Sequence, residues 1–219
     1  IEDMNVFEVL HENNHVIGVS ALNSNNEKQI FRAQKVIISA GALNTPIILK
    51  NSGIQNVGNQ IFFDIFTTIG GYLEDANLKN ELMMGVKAEF GPYFLSPHYS
   101  MQLLPLMKKK GIEATENDVI GLMLKFADTC IGTIDNDGNI EKALTKVDVD
   151  LIKEGYKKAI DILLKLGVPS ESIVETSLKG AHPGGTAAVG EVVDNNFESK
   201  ISGLFVCDAS VIPEAPGRP

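Results

Sequence analysis

The 219-residue sequence predicts a mixed α/β chain of the α+β kind, and three local patterns carry that expectation. Lys35-Val36-Ile37-Ile38-Ser39-Ala40-Gly41 is a short β-branched run that ends in small residues and leads into a helical segment. Consecutive rather than alternating apolar residues suit a parallel strand covered on both faces. Between Ile61 and Phe94 the chain reads as extended runs broken by glycine, which predicts an antiparallel sheet. From Val147 to Leu166, the residues Leu151, Ile152, Tyr156, Ile160, Leu163 and Leu164 recur at helical spacing, and Gly167-Val168-Pro169 closes the element.

Taken in order, the first thirty residues read as a β-hairpin, with Val6, Val9 and Leu10 facing Val16, Ile17 and Val19 across the polar turn His11 to His15. After the parallel strand, Thr45 to Lys50 reads as a helix with Pro46 where a first turn tolerates it, and Asn51-Ser52-Gly53 ends it. In the antiparallel region one strand covers Ile61 to Ile69 up to a Gly70-Gly71 break, and Leu82 to Phe90 forms a second. Asn117 to Lys125 fits a short helix or a strand. Asp148 and Asp150 lie near the start of the long helix, where its dipole favours acidic groups. A last short strand, Leu204-Phe205-Val206-Cys207, runs into Asp208-Ala209-Ser210.

Composition narrows the function classes. With 44% hydrophobic and 21% charged residues the chain is globular rather than disordered or fibrous. A formal charge of -9 argues against nucleic acid and anionic membranes as partners. No apolar run is long enough to span a bilayer, and Ile1-Glu2-Asp3-Met4 has no signal-peptide character, so the chain reads as cytoplasmic. Cys130 and Cys207 lie far apart without ligand-spaced neighbours, so they read as buried thiols and no metal site is indicated. The first residue is Ile and the last residues follow a turn-like Ala215-Pro216-Gly217-Arg218, so both ends read as cut.

Three segments combine small residues with reactive groups. Ser39-Ala40-Gly41-Ala42-Leu43 and Asp208-Ala209-Ser210 end strands, where small residues let a ligand approach the backbone, although they equally make tight strand-to-helix turns. Ala181-His182-Pro183-Gly184-Gly185-Thr186 places an imidazole in a glycine-rich loop, a side chain suited to proton exchange near neutral pH with glycines that admit a reacting group. His11, His15 and His98 have no partner at useful spacing and receive no role.

These segments stand in a familiar order. Ser39 to Pro46 followed by Asn51-Ser52-Gly53-Ile54, then Val57-Gly58-Asn59-Gln60-Ile61, His182-Pro183-Gly184-Gly185-Thr186, and Gly203-Leu204-Phe205-Val206-Cys207-Asp208-Ala209-Ser210-Val211-Ile212-Pro213 together resemble the glucose-methanol-choline (GMC) family of FAD-dependent oxidoreductases. The resemblance covers nearly the whole chain but only the C-terminal part of a family member. It implies part of a doubly wound FAD-binding domain over residues 1–60 and 180–219, and an antiparallel-sheet substrate domain with helices over 61–179. Ala40, Gly41, Asp208 and Ala209 would approach the FAD, and the backbone of Val6 would meet its adenine. His182 matches the family's catalytic base, which takes the hydroxyl proton of an alcohol while the carbon-bound hydrogen leaves as hydride to the flavin.

Two departures accompany the resemblance. The family's second His or Asn, nine residues after Ser210, falls on Pro219, which offers no side-chain donor or acceptor. No Gly-x-Gly-x-x-Gly occurs, so the FAD pyrophosphate loop must come from a missing N-terminal segment, in cis or in trans. The expected partners are therefore that segment and a small-molecule substrate, a hydrophobic alcohol if Met83, Met84, Met101, Met107, Phe62, Phe63, Phe66 and Phe126 line a pocket rather than a core. The alternative is a catalytically incompetent remnant or subunit that needs a partner chain carrying the pyrophosphate motif. The isolated chain is expected to be inactive.

Overall fold

A computed structural model describes residues 1–217. The elements follow in chain order as β1 (Asn5–Glu12), β2 (His15–Leu22), β3 (Lys28–Arg32), β4 (Val36–Ile38), α1 (Gly41–Asn51), β5 (Phe66–Tyr72), β6 (Ala88–Glu89), β7 (Tyr93–Pro97), α2 (Leu103–Lys109), β8 (Val119–Phe126), β9 (Thr133–Ile134), β10 (Ile140–Glu141), α3 (Lys146–Lys165), β11 (Val174–Glu175) and β12 (Leu204–Val206). The chain divides into two compact units. One comprises Ile1–Phe63, Thr129–Ala143 and His182–Ala215, and the other Asp64–Asp128, Leu144–Ala181 and the residues from Pro216 onward. The mixed α/β class with antiparallel sheets is as the sequence predicted.

In the first unit β1, β2 and β3 form an antiparallel sheet, so the predicted hairpin gains a third strand. Asn13 and Asn14 both adopt positive φ at its tip, the conformation a tight two-residue hairpin turn requires and asparagine tolerates. β12 pairs with β4 in parallel, with Leu204, Phe205 and Val206 opposite Val36, Ile37 and Ile38. Ile38, Leu204 and Val206 enter a core with Val9, Val16, Ile48 and Leu49. The other face of β4 is not covered as expected, because Ile37 is 65% exposed. α1 starts at Gly41, four residues earlier than predicted, which puts Pro46 inside the helix. Proline cannot donate to the carbonyl of Ala42 one turn back. Thr186 Oγ1 donates to that carbonyl instead, at 2.8 Å.

The second unit is built on a five-stranded antiparallel sheet in the order β11-β5-β8-β7-β6. Of the two alternatives for Asn117 to Lys125, strand is realised, as β8. Gly70 and Gly71 do not break β5, which runs through them. Gly70 faces Gly121 across the ladder, and a side chain on Gly70 would meet the Leu103 methyl of α2 at 2.6 Å. The glycines thus record the approach of a helix, a contact distant in sequence. Leu82 to Phe90 is not a strand beyond the two residues of β6; Leu82, Met84 and Val86 are exposed there. α3 opens on a reciprocal cap in which Asp148 N donates to Thr145 Oγ1 and Thr145 N to Asp148 Oδ2. Lys125 and Asp64 form an ion pair at 3.2 Å with both side chains almost wholly buried. Asp64 also accepts from the Gly217 amide at 2.9 Å.

Candidate functional site

The parallel pair β4 and β12 ends with both strands on one side, and Cys207 N donates to the Ile38 carbonyl at 2.8 Å just beyond the ladder. There the two small-residue segments meet through one carboxylate. Asp208 Oδ2 accepts from Gly41 N at 3.0 Å and from Thr45 Oγ1 at 2.5 Å, while Oδ1 accepts from Ser210 N at 2.8 Å and Ser210 Oγ at 2.5 Å. Asp208 is therefore a bracket between the two strand ends, with its oxygens directed at the protein rather than at a ligand. Thr45 and Ser210 are both wholly buried in this arrangement. Sequence reasoning gave them no role. The available signal was a pair of hydroxyls in otherwise apolar segments, whose burial calls for a hydrogen-bond partner.

The loop of His182 is fastened to the same place. Gly185 N donates to the Ala209 carbonyl at 3.3 Å and Ala187 N to the Ser210 carbonyl at 2.8 Å, and Thr186 reaches Ala42 of α1. His182 itself is exposed and sits at φ 51°, a left-handed conformation uncommon outside glycine that histidine adopts more readily than most residues. The glycines beside it have a reason other than the predicted one. A side chain on Gly184 would lie 2.2 Å from the ring of Phe62, and Phe62 and Gly184 exchange backbone hydrogen bonds. A protein ring, not a reacting group, occupies the space those glycines leave.

The predicted site residues thus fall into a group and an outlier. Ala40, Gly41, Asp208 and Ala209 lie at the ends of the parallel strands, with the His182 loop bonded to Ala209 and to the adjoining Ala42 and Ser210. Val6 is in the separate β1-β2-β3 sheet, at an irregularity where the register shifts between Val6 and Glu8. Pro219 lies outside the described residues. Of the apolar residues weighed as pocket or core, Phe62, Met107 and Phe126 are fully buried core, whereas Met84 and Met101 are exposed. Neither thiol is buried as expected: Cys130 is half-buried and Cys207 exposed, at the end of β12.

The strand ends fit a flavin. Gly41 has φ 80° and nothing within 4 Å of where a side chain would stand, so the backbone there is open to a flat group. The surrounding Ser39, Ala40 and Ala209 are small, and α1 begins directly behind them, an arrangement that suits the edge of a dinucleotide at the carboxyl end of parallel strands. Among the described residues no cluster of side chains could hold a metal ion, and no helix is long and apolar enough to cross a membrane.

Comparison with known proteins follows the same lines. Models of the N- and C-terminal portions of GMC oxidoreductase match residues 1–74 and 137–219. An uncharacterised protein of Methanocaldococcus jannaschii is 39% identical over 92% of this chain and 54% of its own length. A long-chain-alcohol oxidase of Arabidopsis thaliana is 27% identical over 92% of this chain and 36% of its own. The chain therefore spans about half or less of these relatives. Among solved structures, pyridoxine 4-oxidase from Mesorbium loti superposes with a TM-score of 0.70 at 15% identity, covering 99% of this chain and 54% of that one. A formate oxidase of Aspergillus oryzae RIB40 gives 0.70 at 16%, covering 98% and 56%. At such identities these two likenesses concern the fold alone. Both family models match in chain order and together take in most of the sequence: the chain belongs to the GMC oxidoreductase family.

Proposed function

We propose that this chain is the C-terminal part of an FAD-dependent oxidoreductase that oxidises an alcohol, with residues 1–60 and 180–219 serving the cofactor and 61–179 the substrate. The observation that carries this reading is the fastening of the His182 loop to both small-residue strand ends, through Gly185, Ala187 and Thr186. Ala40, Gly41, Asp208 and Ala209 would hold the edge of the FAD, chiefly through backbone, because the Asp208 carboxylate is engaged internally. Val6 would contribute backbone to the adenine.

When bound, FAD supplies the acceptor for the hydride that leaves the carbinol carbon. His182 takes the proton from the hydroxyl oxygen, so that the C–H bond breaks with its electron pair, the C=O bond forms, and no charge is left on the substrate oxygen. Hydrogen bonds to Ala42, Gly58, Phe62, Ala209 and Ser210 hold its loop, which limits the motion of the imidazole relative to the strand ends.

A requirement for further polypeptide belongs to the same reading. Ile37 is 65% exposed on a parallel strand, the kind of face that helices cover in doubly wound sheets, and the sequence has no glycine-rich pyrophosphate loop. The segment that supplies both would be the N-terminal part, in cis or on a partner chain. Mixing the purified chain with FAD, removing free ligand by gel filtration and recording the visible spectrum tests this. No flavin band from the chain alone, and a band once the N-terminal part of a relative is added, is the expected result. Failure to retain flavin in both cases would contradict the cofactor assignment.

A further inference from the structure

His182 holds a backbone conformation that its place in the sequence does not favour. A residue before proline is ordinarily extended, at negative φ, because the proline ring crowds its amide and Cβ. His182 precedes Pro183 and has φ 51°. Gly185 has φ 86°, so the loop turns twice through the left-handed region with the rigid proline between the turns. Such a conformation persists only where the surrounding structure over-determines it, and at a working site it fixes a side chain in advance.

What over-determines it lies within the first unit. The Gly184 amide donates to the Phe62 carbonyl at 3.2 Å and accepts in return, its carbonyl taking the Phe62 amide at 3.1 Å, while Gly58 N donates to the Thr186 carbonyl at 2.7 Å. Gly185 and Ala187 donate instead to Ala209 and Ser210. Residues 184 and 186 thus bond to the segment 58–62, and residues 185 and 187 to the strand end, the alternation of an extended chain held on both flanks. Phe62 is the bonded partner nearest His182, two residues from it through Gly184.

The Phe62 ring closes this hold with its tip. A side chain on Gly184 would lie 2.2 Å from Cζ, the outermost ring carbon, and one on Gly185 would lie 2.9 Å from Cys130 Sγ and 3.2 Å from Cδ1 of the same ring. The two glycines differ in cause. Gly185 needs its freedom at positive φ, whereas Gly184 is not in the left-handed region, so at 184 it is the ring that excludes a side chain. Phe62 is 1% exposed and packed in place, and the loop has no room to slacken toward it.

We propose that Phe62 is a positioning residue for His182: its ring tip, set against Gly184, keeps the loop in its strained form and so holds the imidazole in place before substrate arrives. This rests on the reading of His182 as the base. The test follows anaerobic flavin reduction by 1-octanol in flavin-loaded enzyme containing this chain, at equal flavin content. Gly184→Ala should slow reduction at saturating alcohol on the order of ten- to a hundredfold, with the half-saturating concentration little changed, the pattern of a displaced reacting group. Phe62→Leu withdraws Cζ and should slow reduction by itself, yet restore most of the rate to Gly184→Ala. Histidine 13Cε1 NMR gives a reading apart from turnover. The His182 signal, identified by its loss in His182→Ala, should move in Gly184→Ala and return toward the parent's position in the double variant, with the His11 and His15 signals in place. Losses that simply multiply in the double variant, or a His182 signal unmoved by Gly184→Ala, overturn the proposal. If the signal moves and returns as expected while His182→Ala reduces flavin at the parent's rate, the hold on the loop stands and the catalytic reading falls, so the two failures are separable.

Discussion

Asp208 illustrates how much one side chain can hold at a strand end. Two of its four bonds come from the first turn of α1 and two from Ser210, so removing the carboxylate strands buried hydroxyls on Thr45 and Ser210 as well as a helix-initiating amide. Hydrogen bonds to charged groups are worth about 1.5–3 kcal/mol each and are not additive, so Asp208→Ala should cost about 2–4 kcal/mol in urea unfolding. Asp208→Asn should recover part of that, because an amide can accept from at most some of those donors. His98 makes a prediction in pH. Burial, and then the nearby charge of Lys179, hold its folded pKa below that of the unfolded chain, so the unfolded state binds more protons between the two values. The stability it contributes is complete above the free-imidazole range and is lost as pH falls through it, and His98→Gln should flatten the decline of the unfolding midpoint between pH 7 and the folded pKa. An undiminished slope in that variant would assign the decline elsewhere.

Elements were legible where their cause is local. The β-branched run of β4, the apolar stripe of α3 and the polar tip between β1 and β2 each state their structure within a few residues, and all three formed. What the sequence concealed was contact between distant segments. Gly70 and Gly71 read as a break and are instead strand positions packed closely, Gly70 by Leu103 and Gly71 by Val168 and Ser172; Gly184 reads as room for a substrate and is room for Phe62. Leu82 to Phe90 has the composition of a strand, but only Ala88 and Glu89 find a partner ladder. The Phe62 case can be measured. Gly184→Ala drives a methyl into the ring and should cost about 1–3 kcal/mol, the usual penalty of overpacking, whereas the same change in a Phe62→Leu background should cost distinctly less. Additive effects in that double-mutant cycle would mean that the ring is not what requires the glycine. The segments that meet at the strand ends could be singled out in the sequence, while the bracket on Asp208 could not, since two of its donors, Gly41 N and Thr45 Oγ1, lie more than 160 positions away.

For the molecule as a whole, the exposed Ile37 face is where the proposed reading would seat the N-terminal part. A charge placed there should be nearly neutral for the chain alone, because surface substitutions away from buried contacts usually change stability by about 0.5 kcal/mol or less. Ile37→Asp should therefore leave the unfolding of this chain unchanged while preventing flavin retention with the added N-terminal part; retention as strong as in the parent would mean that this face stays free in the enzyme. The central claim concerns His182, and the most direct test is anaerobic reduction of the bound flavin by 1-octanol in enzyme containing this chain. With His182→Ala, flavin content should be unchanged and the reduction rate should fall about 10²–10⁴-fold, the range a positioned base contributes. A rate equal to the parent's, at equal flavin content, would contradict the assignment.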